Sequence, residues 1–149
     1  MLYGRNLKAY RNTGIRAEMS VSDPYNITKL LYQGLFARLA QAKGALVRGD
    51  LSTKAHLLAQ STAIIENLRS TIDFSYNKSI AQSLFDLYSF MLDRITSASL
   101  ELNAVYIDEA LRVLAPIKNA WEKIPQSARD EASALRKAPN EDFLAKGQV

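Results

Sequence analysis

The sequence predicts an all-α fold, an antiparallel four-helix bundle. Three observations predict it. Four stretches, Asp23 to Gly49, Ser52 to Thr71, Ser79 to Leu102 and Tyr106 to Ile124, repeat apolar residues at helical spacing over nearly their whole length. Helix-starting and helix-stopping residues fall between them. With 149 residues, 48% of them hydrophobic, the chain has the length of one ordinary domain and encloses one core without a metal or a disulfide.

Residues 1–21 read as an N-terminal arm. Tyr3, Leu7 and Tyr10 fall one turn apart, but Gly14 follows. The stretch is shorter than the ~12–15 residues at which an isolated helix becomes marginal in water, so it needs a surface to fold against. Residues 22–125 are the bundle. Asp23 can cap the first helix, and Pro24 suits its first position because proline lacks an amide that would be orphaned there. The first helix, running to Gly49-Asp50, is roughly 38 Å long and carries the stripe Ile27, Leu31, Leu35, Leu39, Ala42, Leu46. Gly49 is a natural left-handed cap, which makes the next turn short and the first two helices antiparallel.

Ser52 can cap the second helix, whose stripe is Leu57, Leu58, Ser61, Ile64, Ile65, Leu68, Ile72. A polar and aromatic linker, Asp73 to Lys78, leads to the third stripe: Ile80, Leu84, Leu87, Met91, Ile95, Ala98, Leu102. After a turn at Asn103 and Ala104 the fourth reads Ile107, Leu111, Leu114, Ile117, Trp121, Ile124. Pro116 removes one backbone bond inside this helix and should kink it; Pro125 should end it. Residues 126–149 form a polar tail that reads as flexible, with a weak helical pattern at Ala128 to Lys137.

Composition narrows the function. There is no cysteine, hence no disulfide framework, zinc knuckle or thiol nucleophile, in keeping with a reducing compartment. No leader-like apolar segment opens the chain, and no apolar run approaches the ~20 residues of a membrane span, so a cytoplasmic protein without membrane insertion is expected. The net charge is +4, yet the basic residues are scattered one or two per helix instead of lining one face, which argues against a nucleic-acid partner.

Chemistry is equally sparse. A di-iron bundle needs Glu-x-x-His pairs, and the single histidine, His56, has Thr53 three residues before it. Asp86 and Asp93, and Asp108 with Glu109, read as solvated acids of amphipathic helices and not as an acid/base pair. The six glycines are dispersed and form no phosphate loop. No enzyme, cofactor or metal site is expected. What remains is a surplus of apolar and aromatic residues, Tyr32, Phe36, Phe85, Tyr88, Phe90 and Leu92, that makes the helix faces wider than a small bundle needs for itself. Such surface meets a partner. Trp121 reads as a core anchor, whereas Tyr32, Tyr88 and Phe90 suit a groove edge as well as a core boundary.

Several of these residues occur together in a familiar order. Lys8-Ala9-Tyr10, Asp23-Pro24, Leu31-Tyr32-Gln33-Gly34, Gly49-Asp50, Ile64-Ile65-Glu66-Asn67-Leu68, Leu87-Tyr88-Ser89-Phe90-Met91 with Arg94, and Ala120-Trp121 give a series that resembles the flagellin-specific export chaperones, the FliS family, over residues 7–124. Two departures stand out. Tyr76-Asn77-Lys78-Ser79 replaces a frequent glycine pair, and Ala98-Ser99 replaces Ala-Asn.

The resemblance implies a bundle that binds the disordered C-terminal segment of flagellin, prevents early polymerisation and delivers the subunit to the flagellar type III export gate. The flagellin-binding residues it implies are Leu7, Tyr10, Tyr32, Phe36, Ile65, Leu68, Phe85, Tyr88, Leu92 and Trp121. An amphipathic segment of this kind needs an extensive apolar surface to offset its ordering. The alternatives are an adaptor for another helix, such as a flagellar regulatory protein, and a homodimer that buries the surplus face in a second copy.

Overall fold

The structure, a computed structural model, describes residues 24–125, 127–128 and 130–131. Four helices account for most of the first range: α1 (Pro24–Val47), α2 (Leu51–Ser70), α3 (Lys78–Leu100) and α4 (Val105–Glu122). The expected all-α bundle is thus present, with boundaries within a few residues of those read from the pattern. Thr28–Trp121 is one compact unit. The other unit combines residues 1–27 with 122–149, of which only the first turn of α1 and a few positions after Trp121 are described. The arm, with Leu7 and Tyr10, the Asp23 cap and most of the tail's helical pattern lie outside the described residues.

Each helix end is set by local chemistry. Gly49 has φ +76°, and the amides of Gly49 and Asp50 bond to the carbonyls of Leu46 (3.0 Å) and Ala45 (2.8 Å). This crossed pair is the Schellman motif, and the left-handed glycine makes it possible. Asp50, not Ser52, then caps α2: its Oδ1 accepts from the Thr53 amide at 3.2 Å. Tertiary spacing does not decide this. The tight exit from α1 simply places Asp50 where the orphan amides of α2 begin, and the Thr53 hydrogen bonds hold its carboxyl below the usual range. Asn77 does more than occupy a turn, because its Oδ1 accepts from the Ile80 amide at 3.2 Å and caps α3. Asn103 Oδ1 accepts from the Val105 amide at 3.0 Å where α4 starts. That helix continues through Pro116, which lies on an exposed face where water can serve the freed carbonyl, and ends at Glu122, three residues before Pro125.

Cross-helix contacts fix the directions. Lys54 at the start of α2 reaches Ala98 at the end of α3, while Arg69 near the end of α2 reaches Ser89, so these helices are antiparallel. Lys43 pairs with Asp108 at 2.7 Å and Tyr32 meets Trp121, which makes α1 and α4 antiparallel too. Leu35, Leu39, Ala42, Leu58, Ile65, Met91, Ile95, Ala98, Ile107, Ala110 and Leu114 are buried in the common core. Ser61 is buried among them, with its hydroxyl donating to the Leu57 carbonyl at 2.8 Å.

The third stripe needs correction. Leu84, Met91, Ile95 and Ala98 face inward as expected, but Ile80, Leu87 and Leu102 are exposed, and Ala81 and Tyr88 take the inner positions. Successive helical residues differ by about 100° in direction, so burying Tyr88 turns Leu87 toward the helix edge.

Candidate functional site: the edges of α3

Tyr32 and Tyr88 had two possible places, groove edge or core, and the structure puts both in the core, at 3% and 2% exposure. Their hydroxyls are 2.6 Å apart. Burial, followed by the neighbouring Tyr32 hydroxyl, drives the pKa of Tyr88 far above that of an ordinary tyrosine. Burial raises that of Tyr32, with the hydrogen bond to Tyr88 acting the other way. Trp121 packs edge-on against Tyr32 with ring centroids 6.0 Å apart, half-buried against the core as an anchor should be. Ile65 and Leu68 are fully or nearly buried, so they and the two tyrosines shape the interior and offer no outer surface in this conformation.

The remaining described candidates stand nearer the surface. Phe36 is partly buried, with the Lys118 ammonium 5.4 Å from its ring centre. Leu92 is partly buried on α3. Phe85 lies on the edge of α3 facing α2, between the Arg69 guanidinium at 5.3 Å and the Phe74 ring at 6.1 Å. The same Arg69 donates to Ser89 at 3.3 Å. One cation therefore covers this edge and ties it to α2.

The other edge was missed. Ile80, Leu87 and Arg94 follow one another at seven-residue spacing and so line up along one side of α3, drifting only ~20° per heptad. Arg94 marks which side this is: its guanidinium pairs with Glu109 at 3.3 Å and lies 5.3 Å from the Tyr106 ring, both on α4. It also pairs with Asp93 and lies 5.6 Å from the Phe90 ring. Toward the start of α3 the same edge leaves Leu87 37% and Ile80 59% exposed, with Phe90 exposed beside them. Leu84 on α3 and Val113 and Ile117 on α4 are only partly buried. The result is an aliphatic and aromatic strip that ends on a clamped arginine. Its signal in the sequence is the excess width of the α3 apolar arc: a single stripe cannot hold both Leu87 and Tyr88.

The acids have structural partners. Asp86 accepts from Gln82 at 2.9 Å, Asp108 pairs with Lys43, and Glu109 with Arg94. His56 is exposed. Among the described residues no three histidine, aspartate or glutamate side chains come together where they would hold a metal ion, and no helix is long and apolar enough to cross a membrane. Ser99, at the second departure from the family pattern, spends its hydroxyl on the Ile95 carbonyl at 3.0 Å within α3.

With this geometry in view, the sequence pattern of the family described as "Flagellar protein FliS" matches residues 6–128. The chain belongs to the FliS family. Curated members include a flagellar secretion chaperone of Vibrio cholerae serotype O1, 32% identical over 80% of this chain and 88% of that protein. The corresponding chaperone of Salmonella typhimurium is 28% identical over 89% of this chain and 99% of its own length. A third chaperone, from Pseudomonas aeruginosa, is 32% identical over 79% of this chain and 94% of that protein. A crystal structure described as a flagellar chaperone from bacteria shares the fold, with TM-score 0.63 at 20% identity over 78% of this chain and 94% of that one. FliS relatives are named as chaperones, not as enzymes.

Proposed function

We propose that this chain is a cytoplasmic flagellar export chaperone without catalytic activity, and that it binds the disordered C-terminal segment of flagellin. Binding keeps the subunit from polymerising and carries it to the flagellar type III export gate. One observation supports this above others: a FliS-family bundle leaves Ile80, Leu87 and Phe90 exposed along one edge of α3, with only partly buried apolar residues beside them. An amphipathic segment laid along that edge would cover what the bundle cannot cover itself. Phe85, on the opposite, α2-facing edge of α3, and Phe36, Leu92 and Trp121 offer further partly buried apolar surface, whereas Tyr32, Ile65, Leu68 and Tyr88 shape the interior.

The edge also fits a cargo recognised chiefly by apolar contact. Its cation, Arg94, is already engaged by Asp93 and Glu109, so it has no uncompensated positive charge with which to select an acidic partner. Light scattering coupled to size exclusion, with and without a flagellin C-terminal peptide, tests the reading. A defined complex with the peptide is expected. A chain indifferent to that peptide but forming a defined complex with a flagellar regulatory protein would replace it with the adaptor reading.

A further inference from the structure

The seam between α3 and α4 is closed by side chains at one level and altered in its backbone at the next. Arg94 on α3 pairs with Glu109 on α4 at 3.3 Å, and the short connection between Leu100 and Val105 turns α4 back along α3. In antiparallel helices, seven residues back on one and seven forward on the other lead to the same level, about 10 Å along the seam. Those residues are Leu87 and Pro116. Each keeps the side of its helix that Arg94 and Glu109 mark, since a heptad drifts by only ~20°. The exposed Leu87 therefore lies across from the turn of α4 that contains Pro116, with the partly buried Val113 and Ile117 on that helix.

Pro116 changes that turn in a defined way. It has no N–H, so the Arg112 carbonyl, four residues earlier, lacks its helical donor, and the proline ring crowds that same oxygen outward. Proline is the residue least suited to a helix interior, yet Pro116 is exposed, so core packing does not offset the cost. What it creates instead is a backbone acceptor at the rim of an apolar groove. Water serves this oxygen in the free chain. A segment that covers Leu87 excludes that water, and must either replace its hydrogen bond or leave a desolvated acceptor unpaired.

The chemistry of the partner group follows. A segment bound as a helix has spent its backbone amides on its own turns, apart from the first. The donor is then a side chain. Arg112, exposed on the same stretch of α4, disfavours a cation there, which leaves the amide of Asn or Gln or the hydroxyl of Ser or Thr. We propose that Pro116 is a specificity-determining residue of the cargo groove, presenting the Arg112 carbonyl to one neutral polar side chain of the bound segment beside the apolar residue that covers Leu87. The proposal rests on the flagellin reading above, and adds to an apolar groove a polar point that fixes where along it the segment sits.

Calorimetric titration of the full chain with the flagellin C-terminal peptide, paired with urea unfolding, tests it. Pro116→Ala restores the helical N–H, so the denaturant midpoint should rise while the peptide binds about fivefold more weakly, the worth of one neutral hydrogen bond. A purely structural proline would move stability and leave affinity unchanged. Each Asn, Gln, Ser and Thr of the peptide is then replaced by Ala in turn. One replacement should weaken wild-type binding about fivefold and Pro116→Ala binding not at all, a coupling that a double-mutant cycle isolates. Absence of wild-type binding would overturn the flagellin reading and this proposal together. Wild-type binding with unchanged affinity in Pro116→Ala, or with no peptide position coupled to Pro116, would overturn this proposal alone.

Discussion

The hydroxyls of Tyr32 and Tyr88 meet at 2.6 Å inside the bundle, joining α1 to α3 through two residues that are 56 positions apart. Two hydroxyls sharing one bond still carry a second proton, and both rings are desolvated, so neither group ionises readily.

The first prediction follows from those protons. Both tyrosines hold them in the folded state above the ordinary value of 10.0, whereas the unfolded chain releases them there. A raised folded pKa contributes stability that is complete below the unfolded value and is lost as pH climbs past it. Urea unfolding followed by circular dichroism should therefore show the midpoint falling as pH rises above about 10. Tyr32→Phe combined with Tyr88→Phe should flatten that part of the profile.

Substitution of the same pair separates folding from binding. Tyr88→Phe strands the Tyr32 hydroxyl and should cost about 1–3 kcal/mol. Tyr88→Ala empties a core position and should cost about 3–5 kcal/mol, as large aromatic truncations do. Denaturant midpoints should follow this order, and loss of flagellin binding in Tyr88→Ala should track the loss of folded protein.

Lys54 offers a third test. Its ammonium supplies a donor to Ala98, one of the carbonyls that the end of α3 leaves without a helical partner. Lys54→Met keeps most of the apolar stem and removes the donor, so chemical denaturation should show a loss of about 1.5–3 kcal/mol, the worth of a charge-assisted bond.

Gly49 isolates a backbone effect. A Cβ there would meet nothing within 4 Å, yet φ is +76°. Gly49→Ala should accordingly destabilise by about 1–2 kcal/mol through conformation alone, again read from the denaturant midpoint.

Much of the fold was legible because α1, α2 and α4 carry stripes of Leu and Ile whose period and boundaries leave little choice of face. The family series was legible for the same reason, as an ordered set of local patterns. In α3 the pattern misled: Ile80 and Leu87 outrank Ala81 and Tyr88 in hydrophobicity, and the burial of Tyr88 depends on a hydroxyl partner on another helix that no local window contains. Lys54 was invisible for a related reason, since only the approach of the α3 end gives its charge a place inside.

The proposed docking of the flagellin C-terminal segment on the Ile80–Leu87 edge of α3 depends on apolar contact. Calorimetric titration of the full chain with that peptide, in wild type, Leu87→Asp and Arg94→Ala, tests it most directly. Raising salt from 0.1 to 1 M shortens the Debye length from about 10 Å to about 3 Å and should barely change the wild-type affinity. Leu87→Asp, at a position already exposed, should fold normally and weaken binding at least about tenfold, and by more than Arg94→Ala does. Wild-type affinity in folded Leu87→Asp, or steep loss of wild-type binding with salt, would contradict the account.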